Sequence, residues 1–220
     1  MKDVNIYRNI NGTEMKSIDI SLILKHIKKG RWQTQVNEIR DIINRNENEK
    51  ASVLKKTLPA FTPSGTFNER RKKENIESYS GILHLDYDKV DNVEIIKDIL
   101  TTIPYTYSAF ISPSGNGIKV FVLTDAKPKE HTEFFNQIRA YYDGILGIES
   151  DNSVKDITRL CFVSFDPNLY LNESSEIFRY LNSSPSISEV WNFTSKKFKF
   201  VEGQRNNFIH LFACNANRFG

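Results

Sequence analysis

The sequence predicts an α+β fold on three observations. Residues 81–88, "GILHLDYD", alternate in side-chain character; two later stretches carry apolar residues at helical spacing; and "PSGNG" joins two strand-like runs. In order, 81–88 reads as a first strand, and 92–103 as a helix with Val93, Ile96, Ile99 and Leu100 on one face. The run 105–112 reads as a second strand, 113–117 as a tight turn and 118–124 as the returning strand. Residues 128–146 begin with Pro and place Phe134, Phe135, Ile138, Tyr141 and Ile145 along one helical stripe, and "RLCFVSF" (159–165) reads as a fourth strand. The order β-α-β-β-α-β is that of a ferredoxin-like or RRM-like unit, whose sheet runs fourth, first, third, second. On that topology the end of the first strand lies beside the start of the third and the beginning of the fourth.

Ahead of this core, 18–29 and 35–46 carry apolar stripes and are expected to be helices, and "LPAFTPSGTF" mixes Pro, Gly and Ser with aromatics as a loop or short strand crossing does. The expected organisation is an N-terminal helical or mixed module over 1–80 and an RRM-like core over 81–185. A linker and the start of a C-terminal helical segment follow over 186–220, with "SSPSIS" as the linker and Phe208, Leu211, Phe212 and Phe219 on the helix.

At 220 residues, 39% hydrophobic and 26% charged, the chain has the composition of an ordinary soluble globular protein. Neither an apolar leader nor an uninterrupted apolar run of about 18 residues is present, so a cytoplasmic location is expected. Cys161 and Cys214 are too few and too isolated for a disulfide framework or a zinc site, and read as buried free thiols. The net charge of +3 is uneven: residues 1–80 hold 16 Lys+Arg against 10 Asp+Glu, which leaves 14 against 17 in the remainder. The excess gathers in "KHIKKGR" and in the run containing Arg70, Arg71, Lys72 and Lys73, which suits a phosphate backbone as well as a solvated face.

The chemistry of the sequence centres on the first strand. Side chains two apart share a face of an extended chain, so His84, Asp86 and Asp88 lie together. Two neighbouring carboxylates are unfavourable unless water, a basic group or a cation compensates them, and Mg²⁺ or Mn²⁺ prefers oxygen ligands while leaving positions for substrate phosphates. Asp151, Asp156 and Arg159 precede or open the fourth strand, and the topology carries them to the same edge. The turn Ser114, Gly115, Asn116 and Gly117, followed by Lys119, adds a small-residue loop and a positive charge suited to an anion, although Ser-Gly-Asn-Gly is also an ordinary hairpin turn. A lone strand histidine such as His84 is more often packed than reactive.

"HLDYD", "SGNGIKV" and "DNSVKDITRLCFVSFDP" together resemble the three ordered motifs of archaeo-eukaryotic primase-polymerases. The span from about 55 to 172 is similar to the VirE N-terminal-like domains of bacterial mobile elements and phages. The resemblance implies Asp86, Asp88 and Asp151 as catalytic metal ligands, with Asp156 as the alternative third acid. It also implies Ser114, Gly115, Asn116, Gly117, Lys119 and Arg159 at an incoming NTP or dNTP. Where that family commonly has His, this chain has Lys119, which keeps a positive charge for phosphate but is a poorer proton shuttle at neutral pH. The run "GQRNN" matches the start of the helical segment that usually follows such domains. The implied activity is DNA-dependent, metal-dependent nucleotidyl transfer by a primase-polymerase domain. Template or primer DNA would lie on Arg70, Arg71, Lys72 and Lys73, with a helicase in the same or a partner chain. The contrasting expectation is a non-catalytic module that grips a nucleotide or single-stranded DNA to recruit a helicase.

Overall fold

The computed structural model describes residues 2–180; the expected linker, the C-terminal helix, "GQRNN" and Cys214 lie outside the described residues. Within them the protein is a mixed α+β structure with antiparallel sheets and five α-helices.

The N-terminal part contains more strand than its sequence suggests. β1 (Asp3–Tyr7) and β2 (Met15–Asp19) form a hairpin, and Asp19 then caps α1 (Ile20–Lys29) by accepting the Ser21 N–H. α2 (Gln33–Asn44) and α3 (Asn48–Lys55) follow, then the short strands β3 (Ala60–Phe61), β4 (Gly65–Phe67) and β5 (Ile76–Tyr79).

The strands and helices expected over 81–146 are present in order. β6 (Ile82–Tyr87), α4 (Val93–Thr102), β7 (Thr106–Ile111), β8 (Ile118–Leu123) and α5 (His131–Leu146) follow in order, and β6–β8–β7 places first, third and second strands side by side and antiparallel. The fourth strand departs from the expectation. Only Cys161–Phe162 is extended (β9), and it pairs with β3 in the N-terminal sheet, whose order is β2-β1-β3-β9. β10 (Tyr170–Leu171) instead extends the central sheet at β7. The expected order of fourth, first, third, second is therefore corrected. The physical reason is side-chain destination: Cys161 and Val163 bury themselves among the N-terminal helices, and the Val163 N–H bonds the Pro59 carbonyl at 3.0 Å.

The central sheet is covered on both faces. Leu83, Leu85, Tyr87, Val120 and Val122 pack under α4 and α5 against Leu100, Phe135, Ile138 and Tyr142. Ile82, Phe110 and Phe121 pack on the opposite side against Ile23, Leu24, Ile27, Val36 and Ile39 of α1 and α2. The alternation of β6 therefore sends His84 and Asp86 toward the N-terminal module rather than toward solvent. Among the described residues no helix is long and apolar enough to cross a membrane.

Candidate functional site

Asp86 and Lys119 stand directly opposite each other on β6 and β8, and their side chains form a close ion pair between the sheet and the N-terminal module. Lys119 is 5% exposed and Asp86 13%. Burial pushes the Asp86 carboxyl up, but the fields of Lys119 and its neighbours outweigh this and hold it below the usual carboxylate range. Burial likewise opposes the charge on Lys119, and Asp86 more than restores it, so its ammonium loses its proton less readily than usual. His84, on the same face, is driven down to about 3 by burial and by the positive field of Lys119, and is neutral at physiological pH. Both its ring nitrogens are buried without a hydrogen-bond partner, as are Asp86 Oδ1 and Ser112 Oγ. Nearby, burial pushes the Cys161 thiol up to about 12 and leaves it an unreactive free cysteine.

Next to the pair lies a cleft of about 290 Å³ lined by Ile39, Ala51 and Lys55 on one side and by Asp88, Ser114 and Asn116 on the other. Asp88 is exposed at its wall. Lys55, near the end of α3, reaches across to Ser114 Oγ at 3.3 Å and sits 5.5 Å from the centre of the Phe162 ring. Burial and then Lys119 lower its pKa, with Asp88 and Asp86 working in the opposite direction. Lys55 and Lys89, rather than Lys119, are the cations that line this cleft. The pattern of Lys55 in the sequence, a lysine after the apolar Ala51 and Leu54, contains nothing that would place it beside residue 114.

The turn from 112 to 117 is held from below. Arg40 of α2 donates from Nη2 to the carbonyls of Ser112 at 3.0 Å and Phe165 at 2.9 Å. Gly115 has φ +82° and lies over the Arg40 side chain, and a Cβ at Gly117 would stand 2.7 Å from the Tyr87 carbonyl. The turn is closed by Ser112 N–H to Gly117 O at 2.8 Å and Gly115 N–H to Ser112 O at 3.0 Å. The Gly115 amide is thus spent inside the hairpin, and the Ser114 hydroxyl and the Asn116 side chain remain as polar groups at the cleft.

Asp151 reaches this edge by its backbone: its N–H donates to the Asp86 carbonyl at 2.8 Å, on the β6 edge where a fourth strand was expected. Its carboxylate, however, accepts from Ser153 N–H and Oγ at 2.8 and 2.6 Å and lies 3.8 Å from Arg159. Asp156 accepts from Thr158 N–H and Oγ1 at 2.8 and 2.9 Å. Arg159, Asp156 and His84 share the lining of a separate recess. In the basic run, Arg71 donates to the Thr158 carbonyl at 2.6 Å, Lys72 lies 3.8 Å from Glu74, Arg70 is exposed, and Lys73 lines a different pocket near α5.

Among the described residues no group of three or more His, Cys, Asp or Glu side chains is arranged to hold a metal ion together. The donor set supports a smaller arrangement. Asp86 keeps one buried carboxylate oxygen without a partner, and Asp88 is open at the cleft, which fits an ion of the Mg²⁺ type held by one or two carboxylates plus substrate phosphates. Asp151 would join them only with oxygens that already accept from Ser153, with Arg159 3.8 Å away.

The fold and site define a two-sided α+β domain in which an acid–lysine pair lies beneath a cationic cleft. The BT4734-like, N-terminal domain family matches residues 53–171, more than half of the chain, and the protein belongs to that family. No curated protein and no solved structure matches the chain.

Proposed function

We propose that the cleft beside β6 and the 112–117 turn binds the phosphates of a nucleoside triphosphate. On this reading the domain is a DNA-dependent primase-polymerase with an RRM-like core, serving replication of a mobile element or phage. The observation that carries the reading is the buried Asp86–Lys119 pair with an unpartnered Asp86 oxygen, set against a cleft walled by Lys55, Ser114, Asn116 and Asp88. The β6-α4-β7-β8-α5 order and the motif resemblance support the same assignment.

In this mechanism Lys55 and the Ser114 hydroxyl bind and orient the triphosphate, and Lys119 fixes the Asp86 carboxylate in its ionised form. Asp86 and Asp88 would hold the divalent ion, which when bound neutralises phosphate charge and favours ionisation of an attacking hydroxyl. Arg40 keeps the turn in register with the strand that bears the acids. Lys119 is committed to Asp86 and moves no proton.

Asp86→Asn with Asp88→Asn keeps side-chain volume and hydrogen bonding next to buried Lys119. It is expected to lower template-directed incorporation by at least about 100-fold and to abolish Mn²⁺-dependent triphosphate affinity. Lys55→Ala is expected to raise the triphosphate Kd about tenfold with or without metal. A second reading, a non-catalytic nucleotide-binding module, is favoured by the engagement of Asp86 with Lys119 and of Asp151 with Ser153 and Arg159. Triphosphate affinity that depends on Lys55 but is indifferent to Mn²⁺ and to both acids would select it over the enzyme.

A further inference from the structure

The basic run and the start of α5 meet away from the β6 cleft. Lys73, Lys129, His131 and Thr132 line a pocket of about 280 Å³ whose inner wall includes Pro128 and Ile157. Lys73 and Lys129 are exposed, and neither has a carboxylate within ion-pair distance among the described residues. The nearby acids are engaged elsewhere. Asp156, whose field reaches both His131 and Lys73, is held by Thr158, and the Glu130 carboxylate accepts the Lys127 N–H at 2.8 Å. His131 is 4% exposed and shares a 2.8 Å hydrogen bond between Nδ1 and the Tyr79 hydroxyl. Burial drives His131 down to about 4 and pushes the Tyr79 hydroxyl up, so both are neutral near pH 7. With Tyr79 as the donor to Nδ1, the imidazole carries its proton on Nε2 and keeps a donor free, and its ring lines the pocket.

We infer that this pocket is a phosphate-binding site, with Lys73 and Lys129 as the cations and His131 and Thr132 as neutral donors. Two ammonium groups with no carboxylate in ion-pair contact, above a buried histidine, match a group with several acceptor oxygens and negative charge. The phosphate would come from a nucleic-acid strand or from a free phosphate group, and the chemistry of the site is common to both. If a strand is the source, the site deepens the DNA-dependent reading by assigning Lys73, rather than Arg71, as the residue of the basic run that meets the backbone. It shares no residue with the triphosphate cleft.

The test uses the full chain and two probes, a fluorescently labelled oligothymidylate and inorganic phosphate. Lys73→Ala with Lys129→Ala is compared with Lys25→Ala with Lys29→Ala, an equal loss of charge from exposed positions of α1. If a strand is the ligand, the first variant weakens oligothymidylate binding at least about tenfold. It also lowers the slope of log Kobs against log salt by about 1.4, the value for two phosphate contacts on a single strand, and the α1 variant changes both much less. If a free phosphate is the ligand, inorganic phosphate binds the wild type and not the first variant, while strand binding is equal in all three proteins. His131→Gln, which keeps a neutral donor, weakens the affected probe by less than the double lysine variant. Equal effects of the two double variants on both probes would overturn the site. Triphosphate titration of the wild-type protein is scored separately, so a negative result here leaves the cleft assignment to its own test.

Discussion

Lys97–Asp166 and Lys119–Asp86 are both buried lysine–aspartate pairs, and they are finished differently. Lys97 on α4 meets Asp166 at 2.9 Å, and the same carboxylate accepts the N–H groups of Ile111 and Asn168, each at 2.9 Å, so both oxygens are used. The pair ties α4, the end of β7 and the segment after β9 into one unit. Lys119–Asp86 satisfies one carboxylate oxygen and leaves the other buried without a partner, beside a histidine with two orphaned nitrogens. An unsatisfied buried polar group costs about 1–3 kcal/mol, and such costs collect at sites that do something other than hold the fold. The first pair reads as structure and the second as site, although their chemistry is the same.

The largest effect that sharpens this contrast is the loss of one partner. Asp166→Ala leaves the buried Lys97 ammonium only the exposed Glu94, 3.7 Å away, strands two backbone N–H groups and is expected to cost about 3–5 kcal/mol. Asp86→Ala strands Lys119 within reach of Asp88 and is expected to cost roughly 2 kcal/mol. Urea unfolding of the two variants measures both, and equal losses would break the distinction.

Acid titration gives the next effect. The His84 pKa is depressed in the folded state, so between about 6.5 and about 3 the unfolded chain binds the proton that the folded chain refuses. Stability is therefore fully present above the unfolded value and falls with pH across that window, by up to roughly 5 kcal/mol from this group. Asp86 adds a separate acid loss, because its lowered folded value means that its contribution disappears as pH falls through it. His84→Leu removes the histidine part alone. The difference in unfolding free energy between wild type and variant should shift steadily from pH 7 to pH 4 in favour of the variant, and a constant difference would refute the neutral, unpartnered histidine.

The smallest effect is the most discriminating. Replacing both members of a buried pair by apolar residues removes the desolvation cost along with the attraction. Asp86→Leu with Lys119→Met is expected to lie within about 1 kcal/mol of wild type. Lys97→Met with Asp166→Leu should lose about 2 kcal/mol or more, because Ile111 and Asn168 keep their N–H groups and lose the acceptor. A thermal melt of each double variant resolves the two cases.

Much of this contrast was legible before any coordinates. The alternation of 81–88 put His84 and Asp86 on one face, and the expected neighbouring of first and third strands brought Lys119 to the end of that strand, where the structure sets it directly opposite Asp86. The helices α1, α2, α4 and α5 followed from apolar spacing. The hairpin of β1 and β2 was not legible, because its second strand carries only Met15 and Ile18 as apolar residues and runs without a break into α1. The fate of "RLCFVSF" was hidden too. An apolar run announces that it will be buried without saying against what, and Cys161 and Val163 found the N-terminal cluster. Lys55, Arg40 and His131 were missed for the same reason: each joins its site from an element distant in sequence.

By itself the sequence determined the period of each long element, and with it which side chains share a strand or helix face, because backbone geometry fixes that locally. Tertiary structure alone decided which sheet the residue-161 strand joined, that the face bearing Asp86 is roofed by the N-terminal helices, and that Lys55 lines the cleft while Lys119 turns inward. Those outcomes depend on competition among distant surfaces for the same burial, and no local pattern encodes the winner.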